Sequence, residues 1–284
     1  MIGTALRQAG RLLALLLIAL LALQLYFLGR TALMAVLNPS STTFQRTQAL
    51  RILQRDGRLV WNQSWMDLRE MGSALPRAVI ASEDAGFVEH QGLDWEAIDK
   101  ARQRNERRQA RIGALSAPSS ATPPPTPSAT PSATPAATPP AAPPGANTPA
   151  SAPRKPERVM GGSTLTQQLA KNLFLTGERT YWRKGQEALI TWALEAMLSK
   201  TRILELYLNS VEWGEGVYGA RAAAEHYYRV KPSELQALQA ARLAVMLPAP
   251  RRFERLPQSP YLASRAETIA ARMPAVKLPP GTQP

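Results

Sequence analysis

The stretch Gly161–Leu175, GGSTLTQQLAKNLFL, decides how the rest of the chain is read. Two glycines supply a flexible turn, and Ser163 after them is a good N-cap for a helix over 164–173. The start of such a helix offers free backbone N–H groups and a positive dipole end to an anion. Gln168 and Lys171, three apart, share one face, with Gln167 beside them. The spacing of a nucleotide-binding P-loop is missing, so the anion is not expected to be a nucleotide.

Working outward, helical patterns follow in quick succession. Trp182–Leu198 is apolar on most sides, as a buried helix should be. Thr201–Asn209 is a third helix, VYGARAAAEHYY a fourth, and Pro232–Ser233 opens a fifth. Upstream, the pattern is helical from Leu68 to Arg111, with Pro76 suited to a first turn and Asp94 to an N-cap. Asn38–Trp65 is mixed, with a short strand expected near Leu59–Trp61. Long alternating strand patterns are absent, so the fold class is mainly α.

Residues 118–153 are almost wholly Pro, Ala, Ser and Thr, with no charge. Such a segment cannot bury enough surface to offset its ordering entropy and is expected to be disordered or polyproline II. It reads either as an inserted loop without catalytic consequence or as a docking site for a partner that recognises extended Pro segments.

Leu12–Leu28 is uncharged and would be about 26 Å long as a helix, the short end of what spans a bilayer. Arg7 and Arg11 precede it and favour a cytoplasmic N-terminus, although Arg30 follows closely. A cleaved signal peptide is the competing reading, but the apolar run is long for one and no small-x-small site follows at the right distance. The net charge of +13 calls for an anionic partner, whether nucleic acid, anionic lipid or phosphorylated substrate. The absence of cysteine excludes disulfides and a Cys-ligated zinc.

Two carboxylates stand out. Glu83, beside Asp84, follows an apolar run; set against apolar side chains it would have a raised pKa and could act as a general base. Judged alone, the pair reads more readily as a solvated surface feature. Lys184 and Glu187 are i,i+3 neighbours, either a surface ion pair or, with Lys171, Arg179 and Arg183, part of a cationic cluster around a leaving group. His90 and His226 lack companions for a metal site, and no Ser-His-Asp order is present.

EDAGFVEHQG (Glu83–Gly92), GGSTLTQQLAKN (Gly161–Asn172), RKGQE (Arg183–Glu187) and KTRILELYLN (Lys200–Asn209) occur in that order. Together they resemble the signatures of the bacterial peptidoglycan glycosyltransferases of family 51, and AARLAVMLPAP (Ala240–Pro250) resembles the final motif. The likeness runs from about Leu68 to Pro260 apart from the insert. Too little chain follows for the transpeptidase domain of the bifunctional members, so the monofunctional branch is expected.

The resemblance implies a lysozyme-like helical domain with a small membrane-apposed lobe, tethered by one transmembrane helix. It implies polymerisation of lipid II into β-1,4 glycan with loss of undecaprenyl pyrophosphate, the catalytic domain lying outside the inner membrane. By motif, Glu83 is the base and Glu187 the second essential carboxylate, associated with the diphosphate and a divalent cation, Mg or Mn. Ser163, Gln168, Lys171, Arg179 and Lys184 match residues around the phosphates and reacting sugars. Implied partners are lipid II, the nascent glycan, the bilayer and proteins of cell-wall synthesis or division; nucleic acid is not among them. The expected organisation is a tip and anchor over 1–37, a connector over 38–67, and the catalytic domain over 68–117 and 154–270. The insert at 118–153 interrupts that domain, and 271–284 is a tail. The insert falls where the family carries a short flap, and YYRVKPSEL departs from the usual Phe-Gly pattern. A membrane-tethered scaffold with a degenerate catalytic domain is the alternative from a different class.

Overall fold

The computed structural model describes residues 2–94, 163–175 and 180–282, with scattered helical residues between 99 and 110. The expected insert at 118–153, the glycines at 161–162, Arg179 and most of the helix expected after Asp94 lie outside the described residues. Residues 96–162 form a unit of their own, and the architecture below is that of 1–95 with 163–284.

Ten helices are described in this unit. They are α1 (Ile2–Leu33), α2 (Thr43–Asp56), α3 (Ala74–Glu83), α4 (Leu165–Phe174), α5 (Tyr181–Met197), α6 (Lys200–Ser210), α7 (Ala220–Tyr228), α8 (Ala237–Met246), α9 (Pro250–Glu254) and α10 (Pro260–Arg272). Short 3-10 turns at Leu68–Met71, Pro232–Glu234 and Met273–Ala275 join them. The mainly helical expectation holds.

Helix α3 is the central piece. Leu75, Ala78, Val79 and Ile80 are fully buried, and the helix packs against α8 and α10. On α8, Ala240, Ala241 and Ala244 are fully buried, small side chains that let packed helices approach closely. On α10, Leu262, Ala266 and Ile269 recur at helical spacing and point inward. A second group forms around α4, which packs on α2, α5 and α6 through Leu165, Leu169 and Leu173.

Three expectations need correction. Residues 38–67 are not a plain connector, because 43–56 form α2. Its start is a reciprocal capping box in which Thr42 caps the Gln45 N–H and Gln45 returns the bond to the Thr42 N–H. Gln45 is fully buried and also donates to the Ser210 carbonyl. The short strand is β1 (Asn62–Gln63), slightly later than expected. It pairs parallel with β3 (Val217–Tyr218), which pairs antiparallel with β2 (Glu212–Gly214), giving the order β1-β3-β2. Finally, the Pro232 start signal belongs to a separate 3-10 turn, and α8 begins only at Ala237.

Within α1, the stretch 7–33 contains an 18-residue window of mean hydropathy 2.5 and is long and apolar enough to cross a membrane. This reaches past the expected 12–28, because the far end does structural duty. Thr31 and Met34 are buried, and Phe27 meets Phe174 of α4 edge-on with centroids 5.4 Å apart. Arg202 of α6 clamps that end. Its guanidinium donates to the Met34 carbonyl at 2.8 Å, the Leu37 carbonyl at 3.0 Å and Asn38 Oδ1 at 2.7 Å, pairs with Glu205, and lies over the Trp65 ring. A cation on carbonyls at a helix C-terminus is doubly favourable. Arg202→Ala should therefore cost about 2 kcal/mol, read as a lower melting temperature in detergent and faster proteolysis around residues 34–38.

Candidate active site

Helix α3 ends at Glu83, and the chain turns back through a loop that closes at Gly92. Asp84, at the helix end, is buried and uses both oxygens. Oδ1 is 2.8 Å from His90 Nε2, and Oδ2 accepts from the Leu165 N–H at 3.0 Å. Since His90 Nδ1 accepts from the Gly92 N–H at 3.1 Å, the Nε2 position carries the hydrogen that Asp84 receives. Thr164 completes the knot by donating to the Gly92 carbonyl at 2.6 Å. The residue after Glu83 thus caps the first turn of α4 from outside and ties the two segments into one body.

Thr164, not Ser163, is the N-cap of α4. It accepts from the Gln167 N–H while Gln167 returns a bond to the Thr164 N–H. This corrects the expectation for Ser163 and removes Gln167 from the site, since it is buried in the capping box. Ser163 itself is half-buried at the helix entry.

Gln168 then falls beside Glu83 and donates from Nε2 to Glu83 Oε2 at 3.0 Å. Its own oxygen accepts from the Tyr207 hydroxyl at 2.9 Å. Burial pushes the Glu83 carboxyl up from its ordinary value; bonds from Gln168 and Ser82 pull the other way, Asp84 adds to the rise and Arg265 opposes it. The apolar setting inferred from the run Ala78–Ala81 is real. Lys171 lies one turn beyond Gln168, on the same face and exposed.

Helix α5 carries the second group. Glu187 is buried and pairs with Lys184 and, at 3.3 Å, with Arg183. The Lys184 side chain is 60 % exposed, so its charge remains available to a ligand. Arg183 Nε and Gln186 Nε2 are buried donors with no partner among the described residues. Gln186 was not singled out in the sequence, where it is one amide among many. Arg179, expected with this group, lies outside the described residues.

The two groups share a frame. Helices α4 and α5 pack side by side, and Thr166 of α4 donates to Glu195 of α5 at 2.6 Å. Glu195 also pairs with Lys200, whose ammonium lies 4.7 Å from the Phe87 ring centroid. The loop from Glu83 ends against α5. Gly92 has φ +84, and a Cβ there would stand 2.8 Å from Thr191 Cγ2, one turn beyond Glu187. Only glycine fits that position, which is why the Glu83 loop can lie on α5.

The residues offer little to a divalent cation. Glu187, the expected ligand, faces two cationic side chains, which a metal would have to displace. Asp84, His90 and Asp94 bring ligand atoms within 4.8 Å of one another, but both His90 nitrogens and both Asp84 oxygens are already bonded. The cavity at the end of α2, lined by Asp56, Glu215 and Glu254 among others, shares no residue with this site.

A family model described as Transglycosylase matches residues 51–116 and 148–274. The chain belongs to the transglycosylase family. The biosynthetic peptidoglycan transglycosylase of Burkholderia thailandensis is 43% identical over 261 residues, covering 92% of this chain and 84% of that protein. Its counterpart in Paraburkholderia phytofirmans is 42% identical over 262 residues, covering 92% and 90%. One from Janthinobacterium is 40% identical over 259 residues, covering 91% and 92%. The family match starts inside α2, in keeping with that helix being part of the domain, and leaves 117–147 unmatched.

Proposed function

We propose that this chain polymerises lipid II into β-1,4 glycan strands at a membrane surface. Membership of the transglycosylase family, with relatives named for peptidoglycan biosynthesis, makes it a glycosyltransferase of cell-wall synthesis. The finer scheme rests on one observation: a carboxylate of raised proton affinity on α3 is braced by α4, and α4 packs on the helix that carries the cationic group.

In this scheme Glu83 takes the proton from the 4-hydroxyl of the acceptor sugar. That oxygen bonds to the anomeric carbon of the growing chain as the bond from that carbon to diphosphate breaks, and the electron pair leaves with the diphosphate. Pyrophosphate needs no protonated acid to depart, only fixed positive charge and N–H donors near the departing oxygens. Lys184, Arg183 and the Gln186 amide are the described groups suited to supply them, with Lys171 and Arg179 completing the set. A hydrolytic glycosidase would instead want a second carboxyl as acid. Glu187 instead pairs with Arg183 and Lys184.

Helix α5 departs from the buried helix expected. Trp182, Leu189, Trp192 and Met197 are exposed along it, and the helix packs against α1. An apolar stripe continuous with a membrane-spanning helix suits insertion into the bilayer surface, where a lipid-linked substrate would present its diphosphate. Arg7 and Arg11, ahead of the uncharged run 12–28, favour an extracytoplasmic catalytic body. A phosphatase reporter fused at the C-terminus should be active in cells; an inactive reporter with an active cytoplasmic one would reverse the orientation.

The deciding experiment is incubation of the purified chain with lipid II in detergent. Glycan polymer is expected, and its absence from folded protein would favour the scaffold alternative. In the same assay Glu187→Gln should lower the rate on the order of 100-fold while leaving the melting temperature nearly unchanged. Lys184 is mostly solvated and Arg183 keeps a neutral acceptor.

A further inference from the structure

We propose that Tyr207 is a positioning residue for this reaction. By holding Gln168 Oε1 it commits the Gln168 amide N–H to Glu83 Oε2, leaving Glu83 Oε1 as the oxygen that receives the proton. The inference rests on the reading of Glu83 as the base.

The geometry is a three-residue chain across three helices: Tyr207 of α6, Gln168 of α4 and Glu83 at the end of α3. Tyr207 is fully buried, and Gln168 Oε1 is the one partner its hydroxyl has among the described bonds. A buried O–H needs an acceptor, and the amide can provide one only by presenting its oxygen. The nitrogen must then face Glu83, which as a carboxylate can only accept. Burial and the nearby carboxylates push the Tyr207 phenol far up, so it stays a donor throughout the working range.

With Oε2 occupied, Oε1 is the less encumbered oxygen, touched only by the Ser82 hydroxyl at a long 3.4 Å. The groups around this carboxyl are Ser82 and Asp84 on its own segment, Gln168 from α4, Tyr207 from α6 and Arg265 from α10. Tyr207 is the one that sets the sense of the amide without touching the carboxylate. Should the amide turn over, its oxygen would meet the carboxylate, favouring the protonated acid.

The sign of the effect follows. Gln168 donates to the charged form of Glu83 and lowers its pKa; loss of that bond raises it. Tyr207→Phe removes the hydroxyl and little else, so the acid limb of the kcat/KM profile for lipid II polymerisation should move up by about one pH unit. Rate should fall through kcat with KM unchanged. Gln168→Ala should show the same shift, and Tyr207→Phe added to it should shift the limb no further. The carboxyl titration of Glu83, followed by carbon-13 NMR and assigned with Glu83→Gln, should move by the same amount without reference to turnover.

An unmoved limb and an unmoved Glu83 titration in Tyr207→Phe overturn the positioning role. A shift that persists undiminished in the Gln168→Ala background does so too, and failure of Tyr207→Phe to fold assigns the hydroxyl to structure alone. The two readings fail separately: an active Glu83→Gln removes the base, whereas an inactive Glu83→Gln with an unshifted Tyr207→Phe removes only this inference.

Discussion

Glu83→Gln is expected to fold, to melt at a higher temperature than wild type, and to lose polymerisation by about 10²–10⁴-fold. The activity loss follows from removing the proposed proton acceptor for the sugar hydroxyl, while the neutral amide keeps the shape. The gain in stability follows from linkage. The folded protein holds the Glu83 proton more tightly than the unfolded chain does. What this group contributes to stability is complete below its ordinary value of 4.5 and is lost as pH rises through the higher, folded value. At neutral pH wild type therefore carries a buried charge that the variant lacks. The melting-temperature gap should open across that same window and nearly close at lower pH. Activity runs the other way, rising as Glu83 ionises. A variant less stable than wild type at neutral pH would contradict the environment described for this carboxyl.

Asp84→Ala should be the most damaging single change to the frame. It strips the Leu165 N–H and His90 of their partner in a buried setting and undoes the link between the Glu83 loop and α4. Loss of about 3 kcal/mol is expected, from two buried donors left without an acceptor. In protein that remains folded at low temperature, polymerisation should still fall on the order of 100-fold, because Gln168 and Glu83 no longer share a rigid base. Asp84→Asn keeps one acceptor oxygen and should lose about half as much stability. Thermal melts and lipid II turnover on the three proteins test both effects. Equal stability of Asp84→Ala and wild type would mean that the α3–α4 junction is held by other contacts.

The contrast between these two neighbours shows what was legible in the sequence. Glu83 follows an apolar run, so a raised pKa could be expected of it, and the motif match singled it out. Asp84 looks the same on paper, yet its role depends on a helix that begins 81 residues later. Tyr207 was hidden for the same reason, since an aromatic on the apolar side of an amphipathic helix reads as core. Gln168 beside Glu83 required two motifs to meet in space, and only the family resemblance could bring them together.

Among the elements, the long periodic segments were readable and the polar or short ones were not. Helix α2 escaped because its inward side is partly Gln45 and Gln48, which blurs the apolar period. Its capping box, Thr42 with Gln45, was the available signal. The strands are two or three residues long, too short for alternation to register. The N-cap of α4 was misplaced by one residue because serine and threonine are both good caps; burial of Thr164 against Gly92 decides between them. The exposed stripe on α5 was masked by composition alone, which cannot say whether tryptophans face protein or lipid.

The clamp that Arg202 places on the end of α1 has a mechanical consequence. The helix that is long and apolar enough to cross a membrane is the same one that enters the folded body, its end held by Arg202. If α1 spans a bilayer as proposed, the height of Glu83 above the lipid is set by a helix joined directly to the body, not by a leash. A thicker or thinner bilayer has to be met by tilting the whole molecule, so lipid composition becomes a dial on the angle at which the site meets its substrate.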